Sequence, residues 1–597
     1  MTARRISAIA SMCDLNGGSD MSGFRMVWLL LALGCGWIGQ AQAQGLLILC
    51  YHEISQAQAR QDDESVDVDA LARQLEWLRG AGFRFVSLDD AMAASAGGPA
   101  LPDKSVLLSF DDGYRSVYTQ VYPVLKAFRA PALIGLVGSW LSPPEGGRVN
   151  FAGVKVPRDD FLSWGQIREM QASGLVEVAN HTFDLHYGIQ ANPQGNLLPA
   201  ASSARYDPAS GSYESHGQFL ARVERDLARN SALLRQKLGR APRAMVWPYG
   251  SYTREAAAIA AKLGMPAMLT LDDGVNGPDV PLSALRRVLV GADMSLADFA
   301  RLVQASQRWP QGIAPRPERA MPLSLDDIYD PDPAKQEEKL GKALDRVKEM
   351  GASIVYLKAF HDQDGDGVAR QLYFPNSHLP MRADLFNRAA WQLDSRVGVE
   401  VYAWLPVDGL RLPPPALLDV YRELGRAGRF RGLLFRGEGL PPAGAPAMGG
   451  RDALQLRLAE AVRESNPRLK AASGLDGDAL LSGAADDDWR RMLAEYDRVE
   501  VSATPRQAAG GNADDWLRRL QRKVAETPGA LEKTVFELPS VDPRSGKPVP
   551  AETLAGWMRE LNGWGVRQMA YYPGLPDSDA AGWRTLRRAF SLAETPR

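Results

Sequence analysis

Cysteine is nearly missing from this chain. Three in 597 residues (Cys13, Cys35 and Cys50) exclude a disulfide framework. An excess of charge of one sign is missing too. Lys and Arg number 69 against 71 Asp and Glu, a formal net charge of −2 that lacks the basic footprint of a nucleic-acid partner. There is no internal repeat and no low-complexity tract, which removes solenoids from consideration. Histidine is scarce, at six residues. The strongly apolar run Met26–Ile38 is too short to cross a bilayer comfortably. What remains is a chain 45% hydrophobic and 23% charged, long enough for two or three globular domains.

The apolar run has another use. Arg25 precedes it, and Ala41-Gln42-Ala43 follows with small residues at cleavage spacing, so residues 1–43 read as an export signal with an upstream extension before Met21. Cleavage after Ala43 leaves Cys50 as the single mature cysteine. The alternatives are a membrane anchor, or a lipid on Cys35 behind the approximate lipobox Ala32-Leu33-Gly34. The expected compartment is the periplasm, with outer-membrane attachment through Cys35 as the lipidated variant.

Two domains follow, 44–305 and 318–597, joined by a Pro-rich, aperiodic linker at 306–317. In the first, the buried run Leu46–Tyr51 alternates with a helix at 69–80, a run into Asp111, a helix at 117–128, and further strands at 132–137, 175–179, 244–247 and 267–271, with a long helix at 218–238. Strands alternating with helices predict an α/β fold, a parallel barrel or open sheet whose chemistry gathers at the carboxyl ends of the strands. His52, Asp111, Asp112, His181, Pro248 and Asp272 all fall within a residue or two of such an end.

Ser109-Phe110-Asp111-Asp112-Gly113 puts two adjacent carboxylates at the mouth of a buried strand, costly without a cation or a proton. His181-Thr182-Phe183-Asp184-Leu185-His186 supplies two imidazoles some seventy residues on. Asp112, His181 and His186 form a three-ligand set that leaves a position open for water and suits Zn, with Ni or Co also accepted. Asp111 points elsewhere than its neighbour and is free to act as general base. His52 is placed to protonate a leaving group, and the backbone N–H of Tyr114 to face an oxyanion. Taken singly, Asp-Asp-Gly makes solvated turns and paired histidines are often structural. Trp247 and Tyr249 are read as an apolar wall for substrate, with Pro248 between them, and Trp164 as core. Asp184 and Asp272 are read as carboxylates that orient an imidazole, and His216 as an exposed loop residue. The polar segment 190–215 reads as a groove-bordering loop or a disordered insertion.

The motifs at 109–113 and 181–186 resemble those of the polysaccharide deacetylases of carbohydrate esterase family 4. Cys50-Tyr51-His52-Glu53-Ile54 and Val246-Trp247-Pro248-Tyr249-Gly250 resemble its PgaB-type branch, the periplasmic N-deacetylases of poly-β-1,6-N-acetyl-D-glucosamine, whose motif order is circularly permuted. The resemblance implies a distorted deacetylase barrel, a divalent metal, the same residue roles, a poly-N-acetylglucosamine substrate and export through an outer-membrane porin. The Arg of the family's third motif is not at 247–249, which implies a more loosely oriented base. Other readings are a deacetylase of peptidoglycan or chitin oligomers, and a non-catalytic carbohydrate-binding export factor.

From Met321 onward, eight strand–helix repeats predict a (β/α)8 barrel. Ile354–Phe360, Phe374-Pro375-Asn376 and Tyr402–Pro406 resemble the glycoside-hydrolase-like domain of the same proteins. Asp362–Gly367 lacks the late bidentate Glu of a calcium loop and reads as a rim loop. Where cleaving relatives carry Phe-His-Asp-Asp, this chain has Phe435-Arg436-Gly437-Glu438, so the expected carboxylate pair is Glu438 with Glu537. Asp326, Asp327, Asp330 and Asp362, with Tyr356, Trp404, Tyr571 and Tyr572, are expected to line a groove that binds, and in one reading cleaves, a polymer turning cationic as acetyls leave.

Overall fold

The computed structural model describes residues 45–55, 65–151, 153–309, 316–362, 366–436, 449–505, 513–543, 545–574 and 580–592. The export segment with Cys35, and Glu438, lie outside the described residues.

The first domain is built on a parallel sheet of β1 (Leu47–Tyr51), β2 (Ser105–Phe110), β3 (Ala132–Leu136), β4 (Val176–Asn180), β5 (Ala244–Val246), β6 (Ala267–Leu269) and β7 (Val288–Leu289). Their spatial order is β6-β5-β4-β3-β2-β1-β7, with the two-residue strand Arg84–Phe85 pairing beside β2. The sheet therefore curls so that its edges approach, and an isolated bridge between Leu269 and Leu285 nearly closes it. This is the expected distorted barrel. Each residue of β1, β2 and β3 is buried, as strands covered on both faces must be, which is why they read as unbroken apolar runs.

Helices cover the sheet where caps and periodicity agree. α1 (Val68–Gly80) starts at Asp67, whose side chain accepts from the N–H groups of Asp69 and Ala70. α2 (Trp164–Ala172) starts with a Ser163–Gln166 capping box. α3 (His216–Leu238) starts with a Ser215–Gln218 box and ends at the left-handed Gly239. Trp164 is partly buried against the core, with the Lys237 ammonium 5.9 Å over its ring. α4 (Arg254–Lys262) follows β5, and the domain's last helix runs from Leu296 through Arg308, into the segment read as linker.

The second domain is a closed parallel barrel of β8 (Glu318–Ser324), β9 (Ile354–Lys358), β10 (Glu400–Trp404), β11 (Gly432–Phe435), β12 (Lys470–Asp476), β13 (Arg498–Ser502), β14 (Thr534–Pro539) and β15 (Gln568–Tyr572), with β15 paired back onto β8. Its interior is packed. Tyr402 occupies so much of one layer that a Cβ on Gly432 would lie 2.3 Å from its ring, and Glu318 pairs with Arg498 across the base.

The segment 190–215 is an ordered loop, the first of the two expectations, and the disordered insertion is corrected. Two small hairpins, Gly188–Gln190 with Leu197–Pro199 and Tyr206–Asp207 with Ser212–Tyr213, shape it. Its polar groups meet polar groups of the barrel: Asn192 Nδ2 donates to Asn387 Oδ1 at 3.2 Å, and the Tyr213 hydroxyl to Asp384 Oδ2 at 2.5 Å. The segment is polar because it faces another domain's hydrogen-bonding surface.

Candidate active site

Three strand ends of the curled sheet converge. After β2, Asp112 (φ 73°) and Gly113 (φ 74°) both turn left-handed. After β4, Thr182 does so at φ 68°, and after β5, Tyr249 at φ 56°. Left-handed backbone costs a non-glycine residue about 1–2 kcal/mol, more for a β-branched one. Three such residues around one cleft are the mark of a site whose geometry is imposed by its surroundings.

The surroundings of the histidine loop are visible. Asn180 Oδ1 accepts from the N–H of Thr182 at 2.9 Å and from Asn230 of α3 at 2.9 Å. Asp226, also on α3, accepts from the N–H groups of Phe183 (2.7 Å) and Asp184 (2.8 Å). Burial pushes the Asp226 carboxyl up to about 6 in spite of those two bonds. Neither Asp226 nor Asn230 was singled out from sequence, since both lie mid-helix, where a lone polar residue reads as solvent-facing.

Asp112, His181 and His186 come together as expected. Asp112 Oδ1 lies 3.4 Å from His181 Nε2 and 3.3 Å from His186 Nε2. A tetrahedral ion with bonds of about 2.1 Å spaces its ligand atoms roughly 3.4 Å apart. His181 Nδ1 donates to the Val246 carbonyl at 2.7 Å, which leaves Nε2 as the lone-pair nitrogen facing Asp112. Asp112 Oδ1 and His181 Nε2 are buried without a hydrogen-bond partner, an expensive arrangement that a cation relieves. Burial alone would lower His181, but Asp112 and Asp111 outweigh it and raise its pKa. At His186 burial wins over Asp112, and the imidazole is pushed down to about 4. These residues fit a divalent metal.

Asp111 is held from a direction the sequence did not reveal. Arg287, fully buried at the head of β7, sends Nη1 to Asp111 Oδ1 at 2.7 Å and to Ser109 Oγ at 3.2 Å, with Nε on the Thr270 carbonyl at 2.9 Å. The Cys50 thiol points at Asp111 Oδ2 over 3.6 Å. Burial would raise the Asp111 carboxyl, but Arg287, then His181 and His52, hold it far below the usual range. The looser base expected from the third motif is thus corrected: the arginine arrives from another strand. A His52 ring nitrogen, the Cys50 sulfur and an Asp111 oxygen lie within 4.8 Å of one another. Replacing Arg287 with Met leaves a buried carboxylate without its counter-charge. We expect about 3–5 kcal/mol of lost stability, read by denaturant unfolding, and at least a tenfold loss of acetate release.

Several expected contacts are corrected. Trp247 is fully buried and stacks on Tyr252 at 5.8 Å, so it is core and meets no sugar. Tyr249, 46% exposed, keeps its place at the mouth, its ring 4.7 Å from that of His186, with Pro248 buried beneath it. Asp184 is exposed and orients no imidazole, because the Val246 carbonyl does that for His181. Asp272 pairs with Arg468 of the second domain. Tyr114 is buried and stacked on Phe161 at 5.5 Å, in the turn after Gly113. His216 opens α3 and pairs with Glu255 at 2.8 Å, where an exposed loop residue was expected.

The barrel mouth is rearranged in the same way. Side chains alternate along a strand, so Tyr571 points outward and crosses Phe590 at 5.3 Å, while Tyr572 faces the mouth and crosses Trp404 at 5.3 Å. Tyr356 lies in the packed interior beside the buried Glu500 and is no groove residue. Trp404 is buried, and its Nε1 donates to the Arg436 carbonyl at 3.1 Å. The Arg436 guanidinium pairs with Glu537 and lies 4.0 Å over the Tyr572 ring. Asp326 accepts from the Tyr373 hydroxyl at 2.6 Å and faces His361 Nδ1 at 2.6 Å, with Asp327 exposed beside it. Asp330 pairs with Lys339, and Asp362 Oδ2 accepts from the Gly367 N–H. Glu500, missed from sequence because it sits inside an apolar strand, has its carboxyl raised by burial.

A curled parallel sheet with an Asp-His-His triad and a second acid, followed by a closed eight-stranded barrel, defines a carbohydrate deacetylase carrying a glycosidase-like domain. The model of the polysaccharide deacetylase family matches residues 98–268, and that of hypothetical glycosyl hydrolase family 13 matches 322–417 and 451–572. The poly-β-1,6-N-acetyl-D-glucosamine N-deacetylase of Escherichia coli (strain K12) is 32% identical over 606 residues, covering 89% of each chain. The solved deacetylase domain of BpsB from Bordetella bronchiseptica is 41% identical, covering 42% of this chain and 96% of that one, with a TM-score of 0.38. The glycoside hydrolase domain of PgaB (BpsB) from the same organism is 31% identical, covering 46% and 99%, with a TM-score of 0.40. The chain belongs to the family of poly-β-1,6-N-acetyl-D-glucosamine N-deacetylases. Polysaccharide deacetylases depend on a divalent metal, and Asp112, His181 and His186 are grouped closely enough to hold one.

Proposed function

We propose that this chain removes acetyl groups from poly-β-1,6-N-acetyl-D-glucosamine. The observation that carries the reading is Asp111, held by the buried Arg287 guanidinium, beside three donors spaced for one cation. The bound metal, read as Zn with Ni or Co as alternatives, supplies Lewis acidity and a water of lowered pKa. Asp111 accepts the proton of the attacking water through the oxygen that Arg287 leaves unclaimed. His52, at the end of β1 beside Asp111, donates a proton to the amine as the amide C–N bond breaks, so that acetate and a free amino sugar leave. The N–H of Tyr114 faces the developing oxyanion. Tyr249 offers its exposed ring to the sugar.

The barrel's part is to hold the polymer. Arg436 neutralises Glu537, the acid that glycoside cleavage would draw from β14, while Tyr572 and the acidic rim at Asp326 and Asp327 suit stacking on, and attraction of, a chain gaining amines. The full chain is therefore expected to leave the length of a partly deacetylated oligomer unchanged by mass spectrometry, whereas shortened products would assign it cleavage. Periplasmic residence after removal of residues 1–43, or in the alternative attachment through a lipid on a retained Cys35, and delivery to an outer-membrane porin complete the reading and rest on the N-terminal sequence and on the family. The deciding experiment is acetate release from defined β-1,6, chitin and peptidoglycan oligomers. Release confined to the β-1,6 series supports the reading, and release from either of the others alone replaces it.

A further inference from the structure

The turn that carries Tyr249 is held by the other domain. Tyr249 (φ 56°) and Gly250 (φ 62°) are consecutive left-handed residues, and a Cβ at Gly250 would lie 2.6 Å from Leu271. Nothing in a short apolar strand followed by Pro248 compels two such residues to stay there, so the constraint must come from contacts. Those contacts come from segments leading into barrel strands β11 and β12. Arg468 Nη2 donates to the Gly250 carbonyl at 3.0 Å while its Nε pairs with Asp272, the residue expected to serve the active site directly. One turn later, the Arg254 N–H donates to the Glu464 carbonyl at 2.8 Å, and the Arg254 guanidinium reaches Glu460 at 2.6 Å. Ser251 Oγ meets Ser202 Oγ at 2.8 Å, and the Ser202 carbonyl accepts from Arg429 at 2.6 Å.

We propose that Arg468 is a positioning residue for deacetylation: by clamping the Gly250 carbonyl and Asp272 together it holds Tyr249 against His186, so that the barrel completes the substrate mouth of the first domain. The inference rests on the deacetylase reading above and names a device within that site. A planar guanidinium spans the two acceptors at once, one arm for the carbonyl and one for the carboxylate, which a single ammonium does not reproduce. The role is distinct from stapling two domains, because Arg254, Arg429 and the 190–215 segment already do that. Loss of Arg468 alone removes only the contact nearest the mouth.

The test uses the full metal-loaded chain and a defined β-1,6-linked N-acetylglucosamine oligomer. Arg468→Met is expected to raise KM about tenfold with kcat changed less, and Arg468→Lys, which keeps a cation beside Asp272, is expected to behave like the Met variant. Tyr249→Ala is expected to raise KM to a similar extent, and the double variant to be no worse than Tyr249→Ala alone, the non-additivity of two residues acting through one contact. Thermal midpoints and metal content, measured in parallel, are expected to stay near wild type. If Arg468→Met keeps a wild-type KM, if Lys restores it fully, or if the two losses multiply, Arg468 is only a domain staple and the inference falls. A wild-type chain that releases no acetate from the oligomer overturns the deacetylase reading and the inference with it.

Discussion

Asp112→Asn is expected to give a folded chain that holds no metal and releases no measurable acetate. Asn keeps the shape of the side chain but replaces the anionic donor facing His181 and His186 at 3.4 and 3.3 Å with a neutral one. The several kcal/mol of charge stabilisation that a bound cation supplies to such a reaction correspond to about 10³-fold or more in rate, at about 1.4 kcal/mol per decade. Exhaustive chelation of the wild type is expected to reach the same floor. Added Zn, Ni or Co should then restore the chelated wild type but not the variant, with metal content followed by elemental analysis. Full activity in metal-free protein would remove the site as described.

Asp111→Asn is the complementary result. Metal content is expected to be unchanged and the rate to fall about 10²–10⁴-fold, the contribution of a positioned general base. Stability has its own signature. A carboxyl whose folded pKa lies below its unfolded value, as at Asp111 under Arg287, binds its proton less tightly in the native state. Its stabilising contribution is therefore complete above the unfolded pKa of about 3.9 and drains away as pH falls through the folded value. The gap in unfolding free energy between wild type and Asp111→Asn is expected to be constant from neutrality to about pH 5 and to narrow below about pH 4. A gap that widens on acidification would mean that Arg287 does not hold the carboxylate in its charged form.

The two domains were legible for a plain reason. Parallel strands buried on both faces leave unbroken apolar runs, such as Val106–Leu108 and Ile354–Leu357, and helices leave capping signals such as Ser215 with Gln218. The triad was legible because its members follow those runs directly. What went astray has two causes. Trp247 against Tyr249, and Tyr571 against Tyr572, are near neighbours in sequence whose faces depend on local backbone: the left-handed φ at Tyr249, and the register of the last barrel strand. Asp184 and Asp272 were given imidazole partners because both lie near the histidines or a strand end, yet a backbone carbonyl and Arg468 had taken those positions.

The sequence by itself determined which atoms can do the chemistry: a pair of adjacent carboxylates, two imidazoles five residues apart and a lone histidine on the first strand, each at the end of an apolar run. Only the tertiary structure decided how those atoms are held. Arg287 lies 176 residues from Asp111, and Arg468 lies 218 from Gly250. A guanidinium's reach is set by where strands and domains come to rest in space, and spacing along the chain carries no record of it.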